Sequence, residues 1–559
     1  MVRQDLEASR QACEARLESL QGVRLRTGRS SGRRTRRSGR VLALGPAPRI
    51  GLPGQSDKNM QQPKLITASM LYDHLACPHR VAMDAFGDWN RRDKVSPFVE
   101  MLWARGNKYE ATVVGGLGEP YVDLSTLAGD EKEAATRAAI ARGEALIYNG
   151  RLSADGLLGE PDLLRREGGG YVAIDIKSGA GEESAGEEDE GKLKKHYGVQ
   201  IALYTDLLTQ LGVSAGRYGY IWDVHGEEVR YDLDAALTKD PANTLWALYL
   251  DTRLEVDKLL KQETRSTPAA ASVCKLCVWR SACLSEVRAA DDLTLLPELG
   301  RAKRDALREE FPTVHALADA NVAGYVKGKK TEFRGIGPET LKRLQARAQL
   351  CVTPQAAPYF REPVALPTAR QELFFDIETD PLRDLCYLHG FVVRNERDAG
   401  SERFVAFFAE EETPQAERDA FAAAWAFIRE NADAVVVYYS KYERTVYRVL
   451  QAKYPEVCGV DEIEALFAAV PDRSFDLYFD AVKKSEWPTM DYSVKTLARF
   501  CGFQWRDLDP SGASSIQWFD EWVNTRDPAI KQRILDYNED DCVAMRVVLD
   551  RMRGMGIGG

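Results

Sequence analysis

A proline-rich segment divides this chain into separate folding regions. Residues 351–370, CVTPQAAPYFREPVALPTAR, contain four prolines. Proline lacks an amide proton and restricts the residue before it, so neither a helix nor a central strand continues through such a segment. Because the 559 residues also exceed what one hydrophobic core usually holds, we expect several domains with a linker at 351–370.

The patterns on either side of the linker predict a multidomain α/β protein. Residues 61–290 mix helical periods with short strands such as YVAIDIK, residues 291–350 are predicted to be purely helical, and residues 371–553 alternate strands with helices. Residues 1–60 include a 20-residue stretch with eight arginines and no acid. They are predicted to be a disordered basic tail, whether a nucleic-acid-binding arm, a solvated tail or an over-long gene start.

Charge and composition argue against a membrane-spanning or secreted protein and limit how nucleic acid could be bound. The net charge of -10 gives no overall attraction to nucleic acid, so such contact requires local basic patches or metal ions held by carboxylates. No apolar run approaches the roughly 18–20 residues that span a bilayer, and no secretory signal is evident. Ten cysteines without regular spacing suit a reducing compartment. We expect a cytoplasmic protein without membrane contact.

The N-terminal region carries an acid and a lysine on one predicted strand. In YVAIDIK, Asp175 and Lys177 project from the same face because side chains alternate along a strand. Asp162 precedes them by thirteen residues, and Glu110 lies on a predicted helix upstream. Carboxylates of this kind bind Mg²⁺ or Mn²⁺, which activates water, while the lysine stabilises the attacking species.

In this order, the positions resemble the RecB-like branch of the PD-(D/E)xK nucleases, which has a restriction-endonuclease-type α/β core. The resemblance implies catalytic roles for Asp162, Asp175 and Lys177, and a metal ligand at Glu110, where the branch commonly has histidine. It also implies a helix that supports substrate binding through two residues four apart on one face, Gln200 and Tyr204. A structural D-x-K strand and an inactive relic of a nuclease are the alternatives.

Four cysteines bracket this acidic set. Cys77 precedes it, and the stretch CKLCVWRSAC follows it with Cys274, Cys277 and Cys283. The order resembles the iron–sulfur nucleases of the AddB type and the RecB-like nucleases of CRISPR adaptation, and implies a [4Fe–4S] cluster that ties the start of the domain to its end. A zinc site or ordinary buried cysteines are the alternatives.

The C-terminal region carries a second acidic set. In LFFDIETD, Asp376 and Glu378 project from one strand face, and paired carboxylates of this kind bridge two metal ions about 4 Å apart. Glu443 follows at a predicted strand-to-helix junction in YYSKYE. Tyr537 and Asp541 are four residues apart in DYNEDD and share one helical face.

The second set resembles the RNase H-like fold of DEDD-type 3′–5′ exonucleases, tyrosine subtype. The resemblance implies that Asp376, Glu378 and Asp541 hold metal ions and that Tyr537 positions water. The remaining acid, Glu443, stands where many relatives have aspartate. The segment DYSVKTLARFCGF matches the part of the family before its last helix, and its first lysine, Lys495, is expected to contact backbone phosphate. A catalytically decayed domain is the alternative.

The helical region between the two sets contains a glycine-bearing turn. GIGPETLKRL, residues 335–344, resembles a helix–hairpin–helix motif. The resemblance implies that Gly335 and Gly337 direct backbone N–H groups toward a phosphate, with Lys342 adding positive charge. A simple αα-hairpin is the alternative. No ATP-binding phosphate loop is evident, so a helicase, where one is needed, would be a separate protein.

The complete order resembles a family of bacterial RecB-like nucleases fused to an RNase H-like exonuclease domain. The resemblance implies a nuclease that depends on Mg²⁺ or Mn²⁺, and it favours an exonuclease. It would act on single-stranded DNA or DNA ends, in repair, recombination or the processing of foreign DNA. An RNase is one alternative. A nucleic-acid-binding or scaffold protein with decayed sites is the other.

Overall fold

The structure is a computed structural model that describes residues 64–183, 192–381, 383–468 and 473–558. The predicted basic tail at 1–60 lies outside these residues. The described residues all belong to one compact unit, residues 63–559. Within it we distinguish an N-terminal region up to residue 290, a helical connector at 291–350 and a C-terminal region from residue 371.

The N-terminal region is built on a six-stranded mixed sheet, as predicted for an α/β fold. Its strands are β2 (Val122–Asp123), β3 (Leu146–Tyr148), β6 (Leu163–Glu167), β7 (Gly170–Ile176), β10 (Tyr218–Trp222) and β11 (Glu228–Asp232). They are arranged in the order β11-β10-β7-β6-β3-β2. A three-stranded sheet and a hairpin complete the region: β1 (Ile66–Thr67), β4 (Leu152–Ala154), β5 (Leu157–Gly159), β8 (Glu182–Glu183) and β9 (Lys192–Leu193).

Helices cover both faces of this sheet. The helices of the whole N-terminal region are α1 (Ala68–Ala76), α2 (Pro78–Phe86), α3 (Pro97–Gly115), α4 (Gly129–Arg142), α5 (Lys195–Gln210), α6 (Leu245–Leu260) and α7 (Arg280–Ala289). Strand β7 is buried along its whole length. Its side chains alternate between two apolar clusters: Ala173 packs in the cluster that contains α5, whereas Ile174 packs in the one that contains Val114 of α3. The next residue outward on the α5 face is Asp175.

The connector has its own small core. Its helices are α8 (Arg301–Leu307), α9 (Val314–Asp319) and α10 (Pro338–Val352). The prediction that this region is purely helical was wrong at one point, because β12 (Val326–Lys327) and β13 (Lys330–Thr331) form a hairpin. Gly328 in its turn has a φ of 61°, which glycine adopts without a steric penalty. Strands of two residues are too short to show a period in the sequence.

The C-terminal region contains a five-stranded sheet. Its strands are β15 (Gln371–Asp380), β16 (Leu385–Asn395), β17 (Arg403–Phe408), β18 (Val435–Tyr438) and β19 (Ser474–Asp476). They are arranged in the order β17-β16-β15-β18-β19. The strand predicted in LFFDIETD is confirmed as β15, and the predicted alternation of strands with helices is confirmed for this region. Strands β15 to β17 are antiparallel, while β18 and β19 run parallel to β15.

Helices lie on both faces of the second sheet as well. They are α11 (Pro414–Glu430), α12 (Tyr442–Lys453), α13 (Val460–Leu466), α14 (Val494–Phe500), α15 (Gly512–Thr525) and α16 (Pro528–Arg553). Phe374 packs in the apolar cluster that contains α16, whereas Phe375 packs in the cluster that contains α11 and α12. Since side chains alternate along β15, Asp376 and Glu378 lie on the same face as Phe374, toward α16.

The proline-rich linker is attached to the C-terminal region. Its β14 (Tyr359–Phe360) pairs with β20 (Ser485–Glu486). The connector reaches the same strand, because the buried Arg347 of α10 lies with its Nε 2.6 Å from Glu486 Oε2. Among the described residues, none of the helices combines the length and apolarity that crossing a bilayer requires.

Candidate metal-binding sites

Three carboxylates converge between the second sheet and its longest helix. Asp376 and Glu378 come from β15, and Asp541 comes from α16, which packs across that strand. One oxygen from each lies within 4.8 Å of the others. Two oxygens bound to one divalent cation at roughly 2.0–2.6 Å lie at most about 5 Å apart. The three predicted ligands therefore have the spacing of a cation site.

The protonation of these carboxylates fits a cation site. Burial, followed by the charge of Asp541, raises the pKa of Glu378 to about 8. Burial together with the charges of Asp541 and Glu378 raises the pKa of Asp376 well above its usual range. Carboxyl groups crowded in this way repel one another when ionised, and a divalent cation between them relieves that repulsion.

Neighbouring side chains hold the carboxylates in place. Lys495 Nζ lies 2.7 Å from both oxygens of Asp541 and 3.0 Å from the Tyr537 hydroxyl. The indole Nε1 of Trp505 donates to Asp541 Oδ1 at 2.7 Å. The Asn538 amide donates to Asp376 Oδ2, also at 2.7 Å. The predicted phosphate ligand Lys495 thus belongs to the carboxylate cluster itself.

Two of these supporting residues, Asn538 and Trp505, were not identified from the sequence. Asn538 directly follows Tyr537 and precedes Asp541 by three residues, so its position on the same helical face was a usable signal. Trp505 had no such signal, because it is 36 residues from its partner and reaches it only through the tertiary fold.

Glu443 lies beside this cluster but outside the group of three. It is in the first turn of α12 and is 3% exposed. Burial raises its pKa to about 8, and its charge contributes to the raised pKa of Asp376. Its Oε2 is buried and has no hydrogen-bond partner among the described residues. A buried oxygen of this kind fits a position close to a bound cation.

The predicted N-terminal site is assembled where the start of β6 lies beside the end of β7. Asp162 Oδ2 accepts a hydrogen bond of 2.6 Å from the amide of Ile176, the residue between Asp175 and Lys177. Lys177 Nζ lies 2.8 Å from Asp175 Oδ2. Burial and then the charge of Asp175 raise the pKa of Asp162 to about 8. The structure therefore brings these three predicted residues together.

The other predicted residues of this site come from α3 and α5. Glu110 accepts a 2.9 Å hydrogen bond from the Tyr148 hydroxyl, and its charge contributes to the raised pKa of Asp162. Gln200 Oε1 is buried without a hydrogen-bond partner among the described residues. Tyr204 is 5% exposed, and burial followed by the charge of Asp175 raises its pKa well above the usual range.

One further aromatic residue was missed at this site. The ring centroid of Tyr197 lies 5.9 Å from Lys177 Nζ. Tyr197 precedes Gln200 by three residues on α5, so the helical period could have identified it. The site therefore has a lysine and acids on the strands and an aromatic and amide face on the helix.

The four predicted cluster cysteines lie near one another, and all are free thiols that are partly buried. Burial raises the pKa of Cys283 to about 12, with further contributions from Cys277, Cys77 and Cys274. Arg301 Nη2 lies 3.3 Å from Cys77 Sγ. The cysteines before and after the acidic set are thus neighbours in the fold.

The glycines of the connector form an exposed turn. Gly335 has a φ of 75°, and Gly337 is the residue before the first turn of α10. A Cβ atom at either position would meet no heavy atom within 4 Å. Lys342 Nζ lies 3.1 Å from Glu339 Oε1.

Family models match the two regions of the chain that carry the predicted sites. A model of the PD-(D/E)XK nuclease superfamily matches residues 95–284, and a model of the RNase H superfamily matches residues 373–553. The chain contains both nuclease-superfamily domains. The first spans the Asp162–Asp175 site and the second spans the Asp376–Asp541 site. This confirms the predicted two-domain layout and supports a nucleic-acid-cleaving function. No curated protein matches the chain.

Proposed function

We propose that this protein is an exonuclease that depends on Mg²⁺ or Mn²⁺ and hydrolyses single-stranded DNA or DNA from its ends. The observation that carries the proposal is the group of three carboxylates in the RNase H domain, with one oxygen of each within 4.8 Å of the others. Oxygen-only ligands of this kind select hard divalent cations. The choice of DNA follows from the family resemblance.

The residues of the RNase H site would have different roles in hydrolysis. Asp376, Glu378 and Asp541 would hold the cation, which supplies Lewis-acid stabilisation of charge on the scissile phosphate. The Tyr537 hydroxyl, next to Lys495 Nζ at 3.0 Å, would orient the attacking water. The Lys495 ammonium can donate to a phosphate oxygen, consistent with the role implied by the sequence.

The PD-(D/E)XK domain would supply a second hydrolytic site. Asp162, Asp175 and Glu110 offer carboxylate oxygens for the cation. Although burial lowers it, the charges of Asp175 and Asp162 raise the pKa of Lys177. A lysine that remains protonated beside the cation stabilises developing negative charge. Gln200 and Tyr204 of α5 would support the binding of substrate beside these acids.

The four cysteines are proposed to hold a [4Fe–4S] cluster. Burial raises the pKa of the Cys277 and Cys283 thiols, so these two become thiolates only beside a cation, which favours a metal centre over ordinary buried cysteines. Zinc bound at about 2.3 Å places its sulfur ligands roughly 3.8 Å apart. In the described part of the chain, no three of these sulfurs lie within 4.8 Å of one another, so a larger cluster suits them better. Zinc is the alternative.

Colour and metal content separate these two alternatives. A protein purified without oxygen should be brown and absorb at about 400 nm, and the Cys277→Ser variant should lose both properties. Cys501→Ser, at a partly buried cysteine of the RNase H domain, is the matched control. A colourless protein with one zinc ion per chain would contradict the cluster.

The connector is proposed to contact nucleic-acid backbone through the Gly335–Gly337 turn, whose exposed amides precede α10. Where duplex must be opened, a separate helicase would do so. Processes that expose single strands or ends, such as repair, recombination or the destruction of foreign DNA, would supply the substrate.

Cleavage of labelled single-stranded DNA with Mg²⁺ or Mn²⁺ tests the proposal. Asp376→Asn and Asp175→Asn, measured separately, should each remove the activity of one domain, with a loss of at least about 100-fold where that site dominates. Asp419→Asn changes an exposed aspartate of the RNase H domain and should have no effect. RNA of the same sequence tests the RNase alternative. Binding without cleavage by the wild type would instead identify a decayed nucleic-acid-binding protein.

A further inference from the structure

A cavity of about 410 Å³ lies beside the carboxylate cluster of the RNase H domain. Its lining includes Arg499, Gly502, Phe503, Gln504 and Trp505. The volume falls in the range of roughly 300–1,000 Å³ that small-molecule sites occupy. The proposed hydrolytic roles make no use of this cavity.

One indole joins the cavity to the carboxylate cluster. Trp505 lines the cavity, and its Nε1 donates to Asp541 Oδ1 at 2.7 Å. The same ring lies 5.3 Å from Lys495 Nζ and 5.3 Å from Arg499 Cζ. These two cations are one turn apart on α14. A molecule in the cavity therefore lies one side chain away from a proposed metal ligand.

Arg499 is the available cation of the cavity. Its side chain is exposed, and within the described ranges it forms no ion pair or hydrogen bond with an acid. The acid that also lines the cavity, Asp507, is already paired, because Arg533 Nε lies 2.6 Å from its Oδ2 and lowers its pKa. A free guanidinium with its planar set of donors suits a phosphate group.

The remaining lining suits a nucleobase. The ring of Phe503 is partly exposed and lies 4.8 Å from the ring of the buried Trp505 at 75°, and an exposed aromatic face of this kind stacks on unpaired bases. Gly502 has a φ of 90°, and a Cβ there would meet no heavy atom within 4 Å, so the space beside it is open. The exposed amide of Gln504 can both donate to and accept from a base edge.

We propose that this cavity binds one nucleotide of a single-stranded substrate, adjacent to the scissile phosphodiester. Its base lies against Phe503, and its phosphate lies on Arg499. The inference rests on the proposed nuclease function of the RNase H site and adds a reason for strand selectivity. A base stacked in the cavity cannot remain paired in a duplex, so the site selects unpaired strands.

Arg499→Ala tests the phosphate contact. On a single-stranded oligonucleotide with Mn²⁺, we expect KM to rise about tenfold while kcat stays within about twofold. With EDTA in place of the metal, the slope of log Kd against log salt should fall by about 0.7, the value for one phosphate of a single strand. Arg429→Ala, at an exposed arginine of α11 in the same domain, should change neither quantity.

Two further measurements exclude a merely structural role. Hydrolysis of bis(p-nitrophenyl) phosphate, which carries no nucleoside for the cavity, should be unaffected by Arg499→Ala. Gln504→Ala should raise the oligonucleotide KM by a smaller factor. An unchanged oligonucleotide KM and salt slope in Arg499→Ala would overturn the inference, as would an equal loss of activity on the small ester.

The outcomes also separate this inference from the proposed function. If the wild type cleaves DNA, loses that activity in Asp376→Asn and is unaffected by Arg499→Ala, the cavity is not a nucleotide site although the nuclease function stands. If the wild type neither binds nor cleaves single strands, both proposals fail together.

Discussion

Gly390 positions a proposed metal ligand by the side chain that it lacks. It pairs with Asp376 across β15 and β16, and a Cβ at this glycine would overlap Asn538 Oδ1. Asn538 in turn donates to Asp376 at 2.7 Å. The absence of a methyl group on one strand therefore makes room for the amide that orients a carboxylate on the next.

Gly390→Ala should displace Asn538 and weaken the RNase H site. We expect kcat/KM of the RNase H activity to fall by about 10- to 100-fold, as for other residues that orient metal ligands. The variant should also need more Mn²⁺ for half-maximal activity. Gly512→Ala is the control, because a Cβ there meets no heavy atom within 4 Å. Wild-type metal dependence in Gly390→Ala would contradict this role.

The raised pKa of Glu378 predicts how stability depends on pH without metal. Its pKa rises from 4.5 to about 8 on folding, so between these pH values the folded state binds a proton that the unfolded state releases. The free energy of unfolding should therefore fall as pH rises through this window. Glu378→Gln should remove part of that fall. In EDTA, the melting temperature of the variant should therefore rise relative to that of the wild type as the pH is raised through the same window.

Metal provides the complementary measurement. Mn²⁺ should raise the melting temperature of the wild type most at high pH, where its ligands are ionised, and should raise that of Glu378→Gln less. In EDTA, a wild-type melting temperature that rises relative to that of Glu378→Gln over the same pH range would contradict the predicted direction of the pH dependence of stability.

At the scale of elements, the site residues that could be predicted from the sequence are those that lie close together on one strand or one helix. Asp376 and Glu378 are two apart on a strand, and Tyr537 and Asp541 are four apart on a helix, so each pair was predictable from the period of its element. Trp505 was not predictable, because its contact with Asp541 depends on how a loop folds over α16. The β12–β13 hairpin was missed for a different reason, since two residues show no period.

The segment that carries three of the cysteines is also attached by an ordinary core contact. Trp279 is fully buried, and its Nε1 donates to Asp84 Oδ1 of α2 at 2.7 Å. This contact joins the start of the N-terminal region to the cysteine segment without any metal. The two ends of the domain are therefore attached by this buried contact, in addition to the tie that the proposed cluster would supply.

Trp279→Ala should destabilise the PD-(D/E)XK domain by about 3–5 kcal/mol, because it removes a buried aromatic side chain. Trp279→Phe keeps most of the apolar contact but leaves Asp84 without this donor, so we expect a smaller loss of about 1–3 kcal/mol. Urea unfolding of the Cys277→Ser background would measure both without the cluster. Equal stability of the alanine variant and its parent would contradict this attachment.

At the scale of the whole molecule, one arginine links the elements of both proposed sites. Arg105 of α3 lies with its Nη1 3.2 Å from Asp380 Oδ2 and its Nη2 2.6 Å from Asp520 Oδ1. Helix α3 also carries Glu110, and Asp380 follows Glu378 by two residues on β15. Arg383 contacts the same two aspartates. The two nuclease domains therefore share an ion cluster next to the acids that each contributes to its proposed site.

Arg105→Ala should loosen the contact between the two nuclease domains. Asp380 is fully buried and keeps Arg383 as a partner, so we expect a loss of about 1–3 kcal/mol rather than the larger cost of an unpaired buried charge. Calorimetry should show the thermal transition broadening or dividing in two, and both cleavage activities should fall together because α3 and β15 are displaced. Arg137→Ala, which removes an exposed ion pair within one domain, should leave the transition intact. A single transition at the wild-type temperature in Arg105→Ala would contradict this role of Arg105.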